Sequence, residues 1–205
     1  LNQCGAAVYA SGKSVAETRE MAQGHAEHLL PLVENALEKS GIAYADLDAI
    51  AVTVGPGSFT GLRVGLSAAK ALALALNIPI FGITTTQSLA LQSIKKKPDP
   101  VAVILETKRQ DFYVQHFDGI GRAVSEAASL PGSDIKTEGF ILIGDGVGRL
   151  TGSSPGLVMP DVGLIAELLA TDSGFFTEGA EPVYLRGADV TASKQQSRTF
   201  CNFTE

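Results

Sequence analysis

The segment spanning residues 48–76 constrains this chain most. It holds a short apolar run, a turn with glycines at Gly55, Gly57 and Gly61, and a helix-forming stretch that is apolar almost all round. The run 48–54 reads as a strand, and its near-continuous apolar character predicts burial on both faces. A strand that passes through a glycine turn into a helix is an α/β unit. In the helix, Gly61, Gly65 and Ala69 stand four apart, and so do Ser67, Ala71 and Ala75. A helix apolar on every side must be covered on every side. One side suits a sheet. The small residues on the other allow close approach by a helix of the same chain or of a partner.

The turn itself comprises Gly55, Pro56, Gly57, Ser58, Phe59, Thr60 and Gly61, with Arg63 and Gly65 following in the helix. Open amide groups at a helix N-terminus suit an anion. Pro56 with a Ser58 or Thr60 cap suits a tight structural corner equally well. A dinucleotide fold would place a carboxylate near the end of the next strand, where this chain has Gly82-Ile83-Thr84-Thr85-Thr86. A Walker A loop would need Gly-Lys followed by Ser or Thr, and the turn has none.

Around this unit the pattern continues as α/β. Residues 4–20 read as a hairpin about Ser11-Gly12, and 25–40 as a helix with Leu29, Val33, Ala36 and Leu37 on one face. Pro31 either opens that helix late or kinks it. A strand at 79–83 and a helix at 87–95 follow. The prolines and lysines of 95–100 form a linker. Beyond it come strands at 101–105, 111–117 and 140–144, and a helix capped by Asp161. The expectation is two α/β halves, 1–97 and 98–205.

Little in the sequence supports independent chemistry. Carboxylates such as Glu106, Asp111, Asp145 and Asp161 are scattered, and no G-x-S-x-G nucleophile motif occurs. His25 and His28 are three apart but lack further metal ligands. Cys4 and Cys201 have no metal or redox spacing and read as reduced thiols. The net charge of -6, with Lys95-Lys96-Lys97 as the only basic run, argues against a stand-alone nucleic-acid binder. The stretch 64–76 is interrupted by Lys70 and is shorter than a membrane span, and no signal peptide is visible, so a soluble cytoplasmic protein is expected. A strand so close to Leu1 suggests residues ahead of it.

The stretch Gly55-Pro-Gly-Ser-Phe-Thr-Gly-Leu-Arg-Val-Gly65 resembles the signature of the TsaB (YeaZ) family. A His-x-x-x-Leu-Leu-Pro helix at 25–31 precedes it, the Pro-Ile-Phe-Gly-Ile strand at 79–83 follows, and Glu181-Pro-Val-Tyr-Leu-Arg186 is similar to the family's C-terminal motif. The resemblance implies an α/β fold with two lobes, like actin, sugar kinases and Hsp70 (ribonuclease H-like), with mixed sheets flanked by helices. It implies a non-catalytic scaffold for a TsaD-like catalytic subunit that places threonylcarbamoyl on adenosine 37 of tRNA. A TsaE-like ATPase would join them, and tRNA would be touched only indirectly. ATP or ADP and a metal would belong to the partners, with none held by this chain alone. The expected interface joins His25, Leu29, Leu30, Val33 and Leu37 to Gly61, Val64, Gly65, Ala68, Ala69 and Leu72. A bulky charge at Gly65 or Ala69 should then break pairing and spare the monomer, and the same surface would serve a homodimer. The catalytic relative's His-x-x-x-His pair is broken here by Leu29, and the superfamily's phosphate-binding first strand would lie ahead of Leu1. The alternative is a stand-alone ATP-using enzyme of the kinase-like superfamily.

Overall fold

The computed structural model describes residues 3–107, 109–154, 156 and 158–185. The chain opens as the expected hairpin, β1 (Gln3–Ala10) against β2 (Lys13–Glu20), with Ala10 opposite Lys13. A two-residue hairpin loop needs left-handed backbone at both positions. Ser11 and Gly12 supply it, with φ of 51° and 76°. Helix α1 (His25–Ser40) contains Pro31 well inside its span, so the proline does not delay its start. It ends at Gly41 (φ 70°), where the Ile42 amide reaches back to the Leu37 carbonyl at 3.2 Å. Ala36 and Leu37 are buried against Val8 of the hairpin.

Strand β3 (Ile50–Thr53) lies parallel to β4 (Ile80–Ile83), and α2 (Phe59–Leu76) makes the crossover between them. The predicted burial of β3 on both faces is only half realised: all four residues are partly exposed. The reason is positional, since β3 has a hydrogen-bonded neighbour on one side alone. The helix of 18 residues is long and apolar enough to cross a membrane by length and composition. Here it packs on β3, β4 and α1, burying Leu66, Ala69 and Ala73. Helix α3 (Thr85–Lys96) starts earlier than expected because the Thr84 hydroxyl takes the Gln87 amide at 3.0 Å, leaving Thr85 and Thr86 inside the helix.

The second sheet runs β7-β6-β5-β8, built from β5 (Val101–Glu106), β6 (Asp111–Phe117), β7 (Ala128–Pro131) and β8 (Ile141–Ile143). Strand β5 is antiparallel to β6 and parallel to β8, so the sheet is mixed. Val101, Val103, Leu105 and Phe117 pack against Leu89 and Ala90 of α3. On the other face, Ile104, Phe112 and Val114 meet Val147 of the short α4 (Val147–Thr151). Helix α3 thus serves both halves, because its Leu91 joins Ile83 of β4.

The chain then returns to where it began. Asp161 caps α5 (Val162–Thr171) as expected, accepting the Leu164 amide at 3.1 Å. This helix lies on β1, β2 and β3, and Ser14 of the hairpin donates to the Gly163 carbonyl at 2.7 Å. Strand β9 (Thr177–Glu178) pairs antiparallel with β4. The first lobe, expected over 1–97, therefore also takes α5 and β9. A cut at the 95–100 linker separates the sheets but not these two returning elements.

Candidate functional site

The glycine turn is built as a corner fastened from two directions. Gly55 has φ 98°, and a Cβ there would lie 3.0 Å from the Val183 carbonyl, so only glycine fits without strain. The Gly55 carbonyl accepts the Thr85 amide at 2.7 Å, and the Val54 carbonyl accepts the Val183 amide at 2.7 Å. The 55–56 peptide bond is cis. Ser58 caps α2, its hydroxyl taking the Gly61 amide at 3.4 Å. Gly57, Ser58, Phe59 and Thr60 face outward.

Two motifs far apart in sequence meet here. The Phe59 and Tyr184 rings lie 5.7 Å apart, and the Arg63 guanidinium sits 3.9 Å above the Phe59 ring. Lys70 bonds Glu181 at 3.0 Å, across an exposed surface where such a pair adds little stability. The C-terminal motif is thus a buttress for the signature turn. Its last residue, Arg186, lies outside the described residues, as does Cys201.

The expected partner-interface residues separate into an inner and an outer set. His25, Leu29, Val33 and Leu37 of α1 line a cleft beside β1 and β3. Gly61, Val64, Gly65, Ala68, Ala69 and Leu72 of α2 line the same cleft. A Cβ on Gly65 would lie 4.0 Å from Val52 of β3, so this stripe lets α2 approach its own sheet. Ala69 is buried. The expectation that a bulky charge at Ala69 would spare the monomer gives way, because that position belongs to the core. The outward side of the helices carries Leu30, 46% exposed, and Leu74, 82% exposed, with Ser67, Ala71 and Ala75 exposed along α2. Sequence periodicity found both stripes of α2 but not which one meets the sheet. That choice depends on where the crossover brings the helix down.

The carboxylates of the second half divide in the same way. Arg149 of α4 donates to Glu106 at 2.6 Å and to the Asp111 carbonyl at 2.9 Å, with its guanidinium 3.7 Å above the Phe112 ring. Asp145 accepts the Glu106 amide at 2.9 Å. Asp111 is buried and held by Thr107 and Ser129. These groups tie the ends of β5 and β6 to α4. Asp161 is a helix cap elsewhere. His25 and His28 do not converge on other ligands; His28 meets Arg19 at 3.3 Å. Among the described residues no group of three or more His, Cys, Asp or Glu side chains gathers around one point.

Cys4 is buried in the hairpin, and burial pushes its thiol up from the ordinary value. The reactive thiolate is correspondingly scarce near neutral pH. Iodoacetamide should label Cys4 in the folded chain at least about tenfold more slowly than in urea, read peptide by peptide by mass spectrometry.

Against known proteins, residues 17–135 match the family model described as TsaD, tRNA N6-adenosine threonylcarbamoyltransferase. An uncharacterised protein of Mycobacterium tuberculosis is 38% identical over 122 residues, covering 58% of this chain and 56% of the relative. The chain thus spans only about half the length of that relative. The tRNA threonylcarbamoyladenosine biosynthesis protein TsaB of Escherichia coli is 28% identical over 207 residues, covering 89% of this chain and 90% of the relative. Among solved structures, YeaZ from Pseudomonas aeruginosa superposes with a TM-score of 0.76 at 25% identity, covering 90% of this chain and 95% of that one. The fold is the two-lobed, actin-like α/β arrangement of these proteins.

Proposed function

From a chain that belongs to the TsaD-like family, in its TsaB (YeaZ) branch, we propose a protein of tRNA threonylcarbamoyladenosine biosynthesis. In this reading it acts as a non-catalytic subunit that binds and activates a TsaD-like catalytic partner modifying adenosine 37. The observation that carries it is the outer side of α2. An apolar helix that already packs on its own sheet still presents Ser67, Ala71 and Leu74 to solvent, beside Leu30 of α1. Large exposed apolar side chains beside small ones suit a helix-on-helix contact with a second protein. A homodimer through this face is the competing use of it. The acidic net charge of -6 suits a subunit that leaves phosphate binding to others. ATP or ADP, the metal and the TsaE-like ATPase belong in this reading to the rest of the assembly, which works in the cytoplasm.

The test is to mix the purified chain with a TsaD-like subunit and weigh the species by light scattering after size exclusion. A one-to-one complex is expected, with tRNA modification only when both are present. Leu74→Asp and Ala71→Arg should each weaken that complex at least about tenfold, equivalent to about 1.4 kcal/mol. Their circular dichroism should stay unchanged, since neither side chain is buried. Undiminished pairing in both variants would remove this face from the interface. Absence of any complex, together with ATP hydrolysis by the chain alone, would favour the kinase-like enzyme instead.

A further inference from the structure

Two strands of the first half each lack a partner on one side. Strand β1 is hydrogen-bonded only to β2, and β3 only to β4. The backbones of both border one cleft of about 820 Å³. The pleat shows how it is covered. Cys4 and Val8 of β1 face α1, where the Cys4 thiol meets the His25 carbonyl and Val8 meets Leu37. Gly5, on the opposite face, meets Val162 of α5. Helix α5 reaches from β1 across to β3, and α1 packs on α2 on the other side. The cleft is therefore a gap within a sheet, roofed and floored by helices.

The register shows which backbone groups look into it. In an antiparallel pair, inward and outward groups alternate from the closing pair Ala10–Lys13, so Ala7 and Tyr9 point away from β2. On β3, Ile50 bonds Pro79 and Val54 bonds Ile83, which leaves Ala51 and Thr53 pointing away from β4. Among the described residues no strand pairing meets these edges. Backbone groups facing an apolar space without partners are costly, and one strand would satisfy both rows at once. Leu29, Val33, Val64, Ala68 and Leu169 line the space, so both faces of an occupant would be apolar.

We propose that this cleft is a strand slot, which takes one extended apolar peptide strand of about eight residues, paired with β1 on one side and β3 on the other. The occupant comes from outside residues 3–185, is rich in β-branched side chains, and fuses the two small sheets into one, in the order β2-β1-occupant-β3-β4-β9. The slot is independent of the outer α2 face and of the tRNA reading.

The probe is a capped peptide of valines and isoleucines with terminal lysines, about eight residues long. Amide exchange of the chain is followed by NMR with and without it. Protection at Ala7, Tyr9, Ala51 and Thr53 should rise at least about tenfold. The same peptide N-methylated at alternate positions should give no protection. Ala68→Glu should abolish the effect while β1–β2 amides stay protected, which reports that the variant is folded. Should Ala68→Glu unfold the chain, the native protein with the two peptides still decides. No rise in protection overturns the proposal. So does equal protection by the N-methylated peptide, which would make the cleft a general apolar trap. Protection of the same amides by concentration alone would assign the edges to a second copy and also overturn it.

Discussion

Replacing Gly144 by alanine should cost about 3 kcal/mol or more, read as a fall in the urea midpoint. The residue sits just after β8 with φ 109°, a region closed to side chains. An added Cβ would lie 2.2 Å from the Ile104 carbonyl oxygen and 2.9 Å from its carbon. Both belong to the main chain of β5, the strand bonded on both sides within the second sheet, so nothing flexible is available to yield. Gly139→Ala is the matched control. It has φ 82° but nothing within 4 Å, so only the backbone strain should be felt, about 1 kcal/mol. Equal losses at the two positions would show that Gly144 is needed for its dihedral alone.

Phe117→Ala should cost about 3–5 kcal/mol and lower the melting temperature by about 6–20 °C in scanning calorimetry. Phe117 is fully buried at the end of β6, packed with Leu89 and Ala90 of α3 and with Val101. Its removal opens a cavity beneath the helix shared by both halves. Phe59→Ala provides the contrast. That ring is half exposed beside Tyr184, and its loss should leave the midpoint nearly unchanged. A comparable fall for both would mean that the aromatic cluster at the signature turn belongs to the core.

The features readable in the sequence were local ones. The hairpin about Ser11-Gly12, the stop at Gly41, and the caps at Ser58, Thr84 and Asp161 each follow from one or two residues with a specific backbone preference. Strand β9 escaped because it is two residues long and exists only through its pairing with β4. Strand β7 escaped because its four residues end in proline and show no alternation. At the site, the signature turn and the C-terminal motif were each visible. Their contact through Val54–Val183 and Phe59–Tyr184 was not, since spacing in sequence says nothing about a meeting across 125 residues or more. The two stripes of α2 carried no mark to distinguish the one against Val52 from the one facing solvent. The slot between β1 and β3 is a property of neighbours, and no residue announces it.

The return of α5 and β9 to the first half sets an order on synthesis. A growing chain emerges from the ribosome N-terminal end first, at about 5–20 residues per second. Hairpin β1–β2 and strands β3 and β4 are made early, yet the helix that covers the hairpin begins at Val162 and the strand that edges β4 at Thr177. The second sheet, whose strands all lie between Val101 and Ile143, is complete before either arrives. For much of its translation the nascent first lobe therefore carries an apolar hairpin face with nothing over it. Contacts of such sequence separation also slow folding, because a long loop must close before they form. The half made first is thus the half finished last.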